Sequence, residues 1–114
     1  MSAITTHVLD TARGCPAAGV RVSLEQIDAS ERWKVVGQGV TDASGRLRSL
    51  LPESIEPLPG VYRLLFDTRA YFDEHGVDSF FPHVTVTFEV SETKGHYHVP
   101  LLLSPFGYST YRGS

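Results

Sequence analysis

Residues 97–110 read Tyr-His-Val-Pro-Leu-Leu-Leu-Ser-Pro-Phe-Gly-Tyr-Ser-Thr, and this stretch decides the fold. An apolar strand carrying one proline is followed by a Ser-Pro turn and then by a strand rich in Tyr, Ser and Thr. Two such runs separated by a short turn predict a β-hairpin. The next four residues, 111–114, read Tyr-Arg-Gly-Ser.

Outward from this hairpin, apolar and alternating runs predict six more strands, at residues 4–10, 20–27, 33–41, 46–51, 60–66 and 84–90. Residues 10–19, which carry two glycines and a proline, are interpreted as a loop, and residues 52–59, which hold three prolines, as a loop or a short edge strand. One short helix is expected from Asp67 or Thr68 to about Glu74 or His75, with Gly76 ending it in a left-handed conformation. Seven to eight short strands with frequent turns predict an all-β fold, an antiparallel β-sandwich with Greek-key connections.

Composition limits the size and the partners of the molecule. A chain of 114 residues that is 41% hydrophobic predicts one domain, residues 1–114, whose small core favours a subunit interface. The net charge of −3 gives no basic surface for nucleic acid or for a membrane, and no apolar run is long enough to span a bilayer. The single cysteine, Cys15, rules out an intrachain disulfide, so a cytoplasmic location is expected, with Cys15 buried or half-buried.

Two strands carry side chains suited to chemistry. On strand 4–10, alternation places Ile4, Thr6 and Val8 on one face, and His7 on the other beside Thr5 and Leu9. A tight turn at residues 41–46, Thr-Asp-Ala-Ser-Gly-Arg, is predicted because Asp can accept a bond from the backbone two residues on and Gly tolerates positive φ. Arg46 follows this turn directly.

Residues 97–114 resemble the C-terminal block of the 5-hydroxyisourate hydrolases, a branch of the transthyretin-like family. Similar motifs recur at residues 4–10 with 14–20, at the Thr-Asp-x-x-Gly-Arg turn of 41–46, and at Phe-Phe-Pro in 80–82. The resemblance implies a transthyretin-like sandwich with one short helix, and a homotetramer, a dimer of dimers, with sites in interface clefts. It implies hydrolysis of 5-hydroxyisourate to 2-oxo-4-hydroxy-4-carboxy-5-ureidoimidazoline, in urate catabolism. No cofactor is expected, and no metal, because the ligand types that a zinc centre prefers do not cluster in the sequence.

The same resemblance assigns site residues. It implies active-site roles for His7 and His98 and substrate contact by Arg46. With the chemistry of the terminal residues added, the expected catalytic residues are His7, Arg46, His98 and Ser114, and the expected substrate-binding residues are His7, Arg46, Tyr111, Arg112 and Gly113. Arg48 is the poorer candidate for the arginine, and His96 is left facing solvent.

The residue types suit the opening of a cyclic amide. Such hydrolysis needs a base for water, an acid for the departing nitrogen and donors for the oxyanion. Imidazoles can transfer the protons, and the planar fork of Arg46 can hold adjacent oxygens. Which of His7 and His98 is the base is left open.

The last four residues leave several alternatives open. Tyr111 and Arg112 suit a subunit contact as well as a ligand, while Gly113 allows close backbone approach. Ser114 offers a hydroxyl or a terminal carboxylate to orient water or substrate, rather than a nucleophile, and residues appended after it are expected to abolish activity.

Two other functions are considered. His96 and His98 share a strand face and suit a fortuitous zinc site, but no Cys pair or paired carboxylate accompanies them. A non-catalytic small-ligand carrier using the central tetramer channel, as in transthyretin, is the main alternative, and an accessory binding module is a third. The joint presence of His7, Arg46, His98 and the terminal Tyr-Arg-Gly-Ser favours the hydrolase.

Overall fold

A computed structural model of the protein describes residues 2–92 and 94–114. Within these residues the chain forms nine strands and one helix, two of the strands being only two residues long. In chain order the elements are β1 Ile4–Asp10, β2 Cys15–Pro16, β3 Arg21–Ile27, β4 Trp33–Val40, β5 Arg46–Leu47, β6 Gly60–Phe66, α1 Thr68–Glu74, β7 Val84–Val90, β8 Tyr97–Ser104 and β9 Gly107–Thr110.

The first sheet is built on β1. One edge of β1 pairs along its whole length with β8, in parallel, from Ile4 opposite Tyr97 to Asp10 opposite Leu103. The other edge pairs with β5 and, further along, with β2. Strand β9 returns antiparallel to β8 as the predicted hairpin.

The second sheet has the order β4-β3-β6-β7, and all its pairs are antiparallel. The core lies between the two sheets, where every second residue of each long strand points inward. On β1 these are Ile4, Thr6 and Val8, each fully buried, as the alternation predicted. The predicted β-sandwich with one short helix is therefore confirmed, with seven strands of four residues or more in the described chain.

Three local expectations were wrong. The strand predicted at 46–51 ends at Leu47, and its alternation fails because Leu50 and Leu51 are both buried. The loop predicted at 10–19 contains the short strand β2, in which Cys15 is half-buried. The pairing of β1 with β8 is parallel in an otherwise antiparallel sandwich, because these strands are distant in sequence and no hairpin constrains their direction.

The helix is anchored to the end of β1 by one buried hydrogen bond. Asp67 caps the helix by accepting from Ala70 N, and Gly76 follows it with a φ of 67°, as predicted. Tyr71, from the helix, donates its hydroxyl to Asp10 Oδ2 at 2.7 Å, and Asp10 is 1% exposed. Burial, and then the bond to Asp10, raises the pKa of the Tyr71 phenol to about 12, so it remains a donor at neutral pH.

Removal of this hydroxyl should destabilise the fold. Tyr71→Phe leaves one oxygen of a buried carboxylate without its donor, so the free energy of unfolding should fall by about 1–3 kcal/mol in urea titration. Tyr62→Phe is the matched control, because Tyr62 is equally buried but donates to the neutral carbonyl of Leu58. A larger loss for Tyr62→Phe than for Tyr71→Phe would contradict the assignment.

Candidate active site

The candidate site lies on the outer face of the first sheet, where β5, β1 and β8 lie side by side. Register places Arg46 of β5 opposite His7 of β1, and Thr5 of β1 opposite His98 of β8. Residues opposite each other in a sheet project to the same face, so three strands deliver a guanidinium and two imidazoles to one surface.

A cavity of about 150 Å³ opens on this face. Its lining includes two arginines, two histidines and one residue from the end of the chain, namely Arg46, Arg48, His96, His98 and Ser114, together with Thr5 and Thr6. Arg46 and Arg48 also line a second cavity, of about 680 Å³, so the two cavities share these two residues. Within the described chain, the lining of the smaller cavity has no carboxylate side chain, which favours an electron-rich ligand.

A rigid turn holds Arg46 in place. Asp42 Oδ1 accepts hydrogen bonds from the backbone N–H of Ser44 at 2.9 Å and of Arg46 at 3.0 Å, and from the Ser44 hydroxyl. These bonds, that of the Ser44 hydroxyl first, lower the pKa of the Asp42 carboxyl. Gly45 completes the turn at a φ of 78°, and a Cβ there would lie 2.4 Å from the carbonyl oxygen of Val8. The turn predicted at 41–46 therefore packs directly against the backbone of β1.

The same turn determines the tautomer of His7. His7 Nε2 lies 2.9 Å from the carbonyl oxygen of Ser44. Because a carbonyl oxygen can only accept, Nε2 carries a proton, and Nδ1 is the basic nitrogen of a neutral His7.

Thr5 and Gly113 hold His98 from two sides. Thr5 Oγ1 is hydrogen-bonded to His98 Nδ1 at 2.8 Å, which leaves Nε2 as the ring nitrogen for a ligand. Gly113 donates its N–H to the His98 carbonyl at 2.8 Å, and a Cβ at Gly113 would lie 2.6 Å from His98 Cδ2. The predicted close approach of Gly113 to a ligand stays a prediction, and in this chain the Gly113 backbone packs on the His98 imidazole.

The electrostatic surroundings of His98 favour its neutral form. Burial lowers the pKa of His98 first, and the charges of His7, His96, Arg46 and Arg48 lower it further. A neutral imidazole at pH 7 can accept a proton, so this environment suits a base.

Two of the predicted binding residues lie elsewhere in the single chain. Tyr111 is 57% exposed and, with Arg112, lines a separate cavity of about 210 Å³. The Arg112 guanidinium lies 4.7 Å from the centroid of the Tyr97 ring. The structure thus brings Arg46, His98 and Ser114 to one cavity, with His7 beside Arg46, and leaves Tyr111 and Arg112 outside it.

Sequence reasoning missed Thr5 and underrated Arg48 and His96. His96 is exposed, as expected, but its ring also lines the cavity. The position of Thr5, two residues before His7 on the same face, was a signal in the sequence. Its contact with His98 follows only from the parallel register of β1 and β8.

Fold and cavity define a β-sandwich protein with a small polar site of arginine and histidine on one outer sheet face. The family model described as the HIUase/Transthyretin family matches residues 4–113, and the chain belongs to this family.

Individual relatives also match nearly the whole chain. The chain is 49% identical over 111 residues to the 5-hydroxyisourate hydrolase of Salmonella dublin, covering 97% of this chain and 80% of that protein. The solved Klebsiella pneumoniae 5-hydroxyisourate hydrolase is 35% identical with a TM-score of 0.85, covering 97% and 98% of the two chains. Transthyretin from Sparus aurata is 37% identical with a TM-score of 0.92, covering 99% and 97%.

Substitution of Gly113 should displace the His98 ring. Because the added Cβ of Gly113→Ala would overlap His98 Cδ2, we expect the ¹H and ¹⁵N resonances of the His98 ring to move and Thr5 to lose its bond to Nδ1. Gly107→Ala is the control, since its Cβ would meet only Ser104 Oγ, at 3.7 Å. Unchanged His98 resonances in a folded Gly113→Ala protein would contradict this packing.

Proposed function

We propose that this chain catalyses the hydrolysis of 5-hydroxyisourate to 2-oxo-4-hydroxy-4-carboxy-5-ureidoimidazoline, in urate catabolism. The names of its relatives support this reaction: hydrolases of 5-hydroxyisourate from Salmonella dublin and Mus musculus are 49% and 46% identical over nearly the whole chain. One observation carries the proposal, namely the convergence of Arg46, His98 and Ser114 on one cavity beside His7. The family and the sandwich alone would fit a carrier as well.

Arg46 is proposed to bind the substrate and the developing negative charge. The substrate is a flat ring with several carbonyl oxygens, and a guanidinium presents paired N–H donors in one plane. The bonds of Asp42 to the backbone around Arg46 hold the base of this side chain in place before the ligand arrives. Arg48, which also lines the cavity, adds a second positive charge.

His7 and His98 are proposed to handle the protons. In this proposal His98, kept neutral by its surroundings, removes a proton from water through Nε2 while the water oxygen bonds to the ring carbonyl carbon. The carbon–nitrogen bond then breaks, and the departing nitrogen takes a proton from an imidazole. His7, the second imidazole, has its Nδ1 free of the bond to Ser44, and it can supply this proton only when Nδ1 is itself protonated; otherwise His98 Nε2 returns the proton that it took from water.

The terminal residues are proposed to complete the site. Ser114 lines the cavity, and its hydroxyl or its terminal carboxylate can orient the attacking water or the substrate. Gly113 contributes by allowing the backbone to pack on the His98 ring. Tyr111 and Arg112 remain proposed binding residues for a site shared between subunits, since both are exposed in the single chain.

The proposed protein is a homotetramer, a dimer of dimers, built from the single domain of residues 1–114 and located in the cytoplasm. Exposed aromatic side chains support an assembly: Phe80 is 65% exposed and Phe106 is 70% exposed. Strands β4 and β7 form the two edges of the second sheet in the described chain, and open edges favour pairing.

No helix of the described chain is both long and apolar enough to cross a membrane. The proposed reaction uses neither a metal nor a cofactor.

Wild-type protein should accelerate the loss of the ultraviolet absorbance of 5-hydroxyisourate that a urate oxidase generates in place. His98→Asn and Arg46→Lys should each lower kcat/KM by about 10²–10⁴-fold, because the first removes a positioned base and the second a planar fork of donors. His83→Asn is the matched control, since His83 lines a different cavity.

A wild-type protein that is folded but leaves the spontaneous decay unchanged would overturn the proposal and favour a carrier. Equal losses in His98→Asn and His83→Asn would remove His98 from the chemistry.

The pH dependence should report the neutral form of His98. Its pKa lies below the ordinary 6.5, so the base is already unprotonated near neutrality and gains a proton only as the pH falls through that lowered pKa. The kcat/KM of wild type should therefore be flat near pH 7 and fall on the acid side with an apparent pKa below 6.5. An acid limb centred above this value would show that neutral His98 is not the required form.

A further inference from the structure

One buried hydroxyl joins two imidazole rings beside the cavity. Thr5 Oγ1 lies 2.8 Å from His98 Nδ1 and 3.3 Å from His96 Nε2. The two rings are nearly parallel, with 14° between their planes and 6.5 Å between their centroids. Thr5 is only 2% exposed, His98 is half-buried and His96 is exposed, so the three groups connect a half-buried imidazole to an exposed one.

The valence of the hydroxyl restricts how this path can be protonated. A threonine hydroxyl has one hydrogen, so it donates to one of two imidazoles while the other donates to it. When Thr5 donates to His98 Nδ1, a neutral His98 carries its proton on Nε2 and meets a ligand as a donor. When His98 Nδ1 donates to Thr5, Nε2 is bare and meets the ligand as a base.

The charges around His98 make a path for the proton useful. His7 faces it from β1, Arg46 and Arg48 from β5 and the residues after it, and His96 from the entry to β8. All four are cationic or can become so, and Ser114, which also lines the cavity, brings a hydroxyl and a terminal carboxylate. The positive charges therefore destabilise a protonated His98. In the described lining no carboxylate side chain is present to accept the proton from it.

We propose that Thr5 is a positioning residue that fixes the tautomer of His98 and relays a proton between His98 and the exposed His96. The inference rests on the proposed hydrolysis. As the water oxygen bonds to the carbonyl carbon, the water proton moves to His98 Nε2. His98 Nδ1 then passes its proton to Thr5 Oγ1, Thr5 passes its own to His96 Nε2, and His96 releases its Nδ1 proton to solvent. Reversal of the same path supplies a proton when the carbon–nitrogen bond breaks, so protons balance and no redox partner is needed.

The test compares Thr5→Val with Thr5→Ser. Valine keeps the shape and the strand preference of threonine but removes the hydroxyl, whereas serine keeps the hydroxyl. Thr5→Val should lower kcat by about tenfold to hundredfold, within the range that a positioned acid–base group supplies, and should shift the acid limb of the pH–rate profile. Thr5→Ser should restore most of both. Thr11→Val is the control, since Thr11 Oγ1 donates to the Leu103 carbonyl and not to a histidine.

Two further measurements separate a relay from a structural role. The ¹⁵N shifts of the His98 ring report its tautomer ratio, which should change in Thr5→Val and stay as in wild type in Thr5→Ser. In His96→Ala, kcat should depend on the concentration of added imidazole, because the imidazole buffer then takes the place of His96 as the group that exchanges the proton with solvent.

Each outcome decides a different claim. Wild-type kcat, pH profile and ¹⁵N shifts in Thr5→Val would overturn the inference, as would a loss that Thr5→Ser fails to restore. A His96→Ala protein that retains wild-type kcat without buffer dependence would overturn the relay to His96. A folded wild type that does not hydrolyse 5-hydroxyisourate would overturn the proposed function, whereas an active wild type with unaltered Thr5→Val would overturn this inference alone.

Discussion

The parallel pairing of β1 with β8 is the constraint on which the rest of the structure depends. It joins segments more than ninety residues apart, and it runs through seven consecutive residue pairs. Inward side chains from both strands, such as Val8 and Leu101, are fully buried against the second sheet. The loop-closure entropy of so distant a pairing is offset by this burial, since apolar area removed from water stabilises by about 25 cal/mol per Å².

The same pairing builds the site on the opposite face of the sheet. Because β1 is central, it receives β5 on one edge and β8 on the other, and each outward residue of β1 gains a partner from a different strand. His7 lies opposite Arg46 and is hydrogen-bonded to Ser44, while Thr5 lies opposite His98 and is hydrogen-bonded to it. The side chains are thus held by strands and by backbone bonds rather than by mobile loops, which is what a preorganised site requires.

The sandwich itself does not select a function within this family. The chain resembles the solved transthyretin of Sparus aurata in fold at least as closely as it resembles the Klebsiella pneumoniae hydrolase. What favours chemistry is the local environment of His98: burial and nearby positive charges lower its pKa, one ring nitrogen is held by Thr5, and the other is left for a ligand. In the proposed function a small set of outward residues on one sheet carries the functional distinction, while the core carries the fold.

Much of this molecule was predictable from the order of its residues. Period-two alternation located the long strands, Asp67 and Gly76 located the helix, and the Asp and Gly of residues 42–45 located the turn that holds Arg46. These are local rules, in which each residue acts on neighbours a few positions away. They also showed that His7 and His98 project from strands.

Only the tertiary structure decided which of those side chains meet. The direction and register of β1 against β8 bring Thr5 to His98, and neither can be read from two segments separated by most of the chain. The strand alternation predicted after Leu47 also failed because of tertiary packing. Leu50 and Leu51 are neighbours in sequence, yet both are buried in the core, which a strand with alternating faces would not allow. The sequence by itself determined the strands, the turn and the residue types of the site; long-range strand pairing, which local periodicity does not encode, decided their contacts.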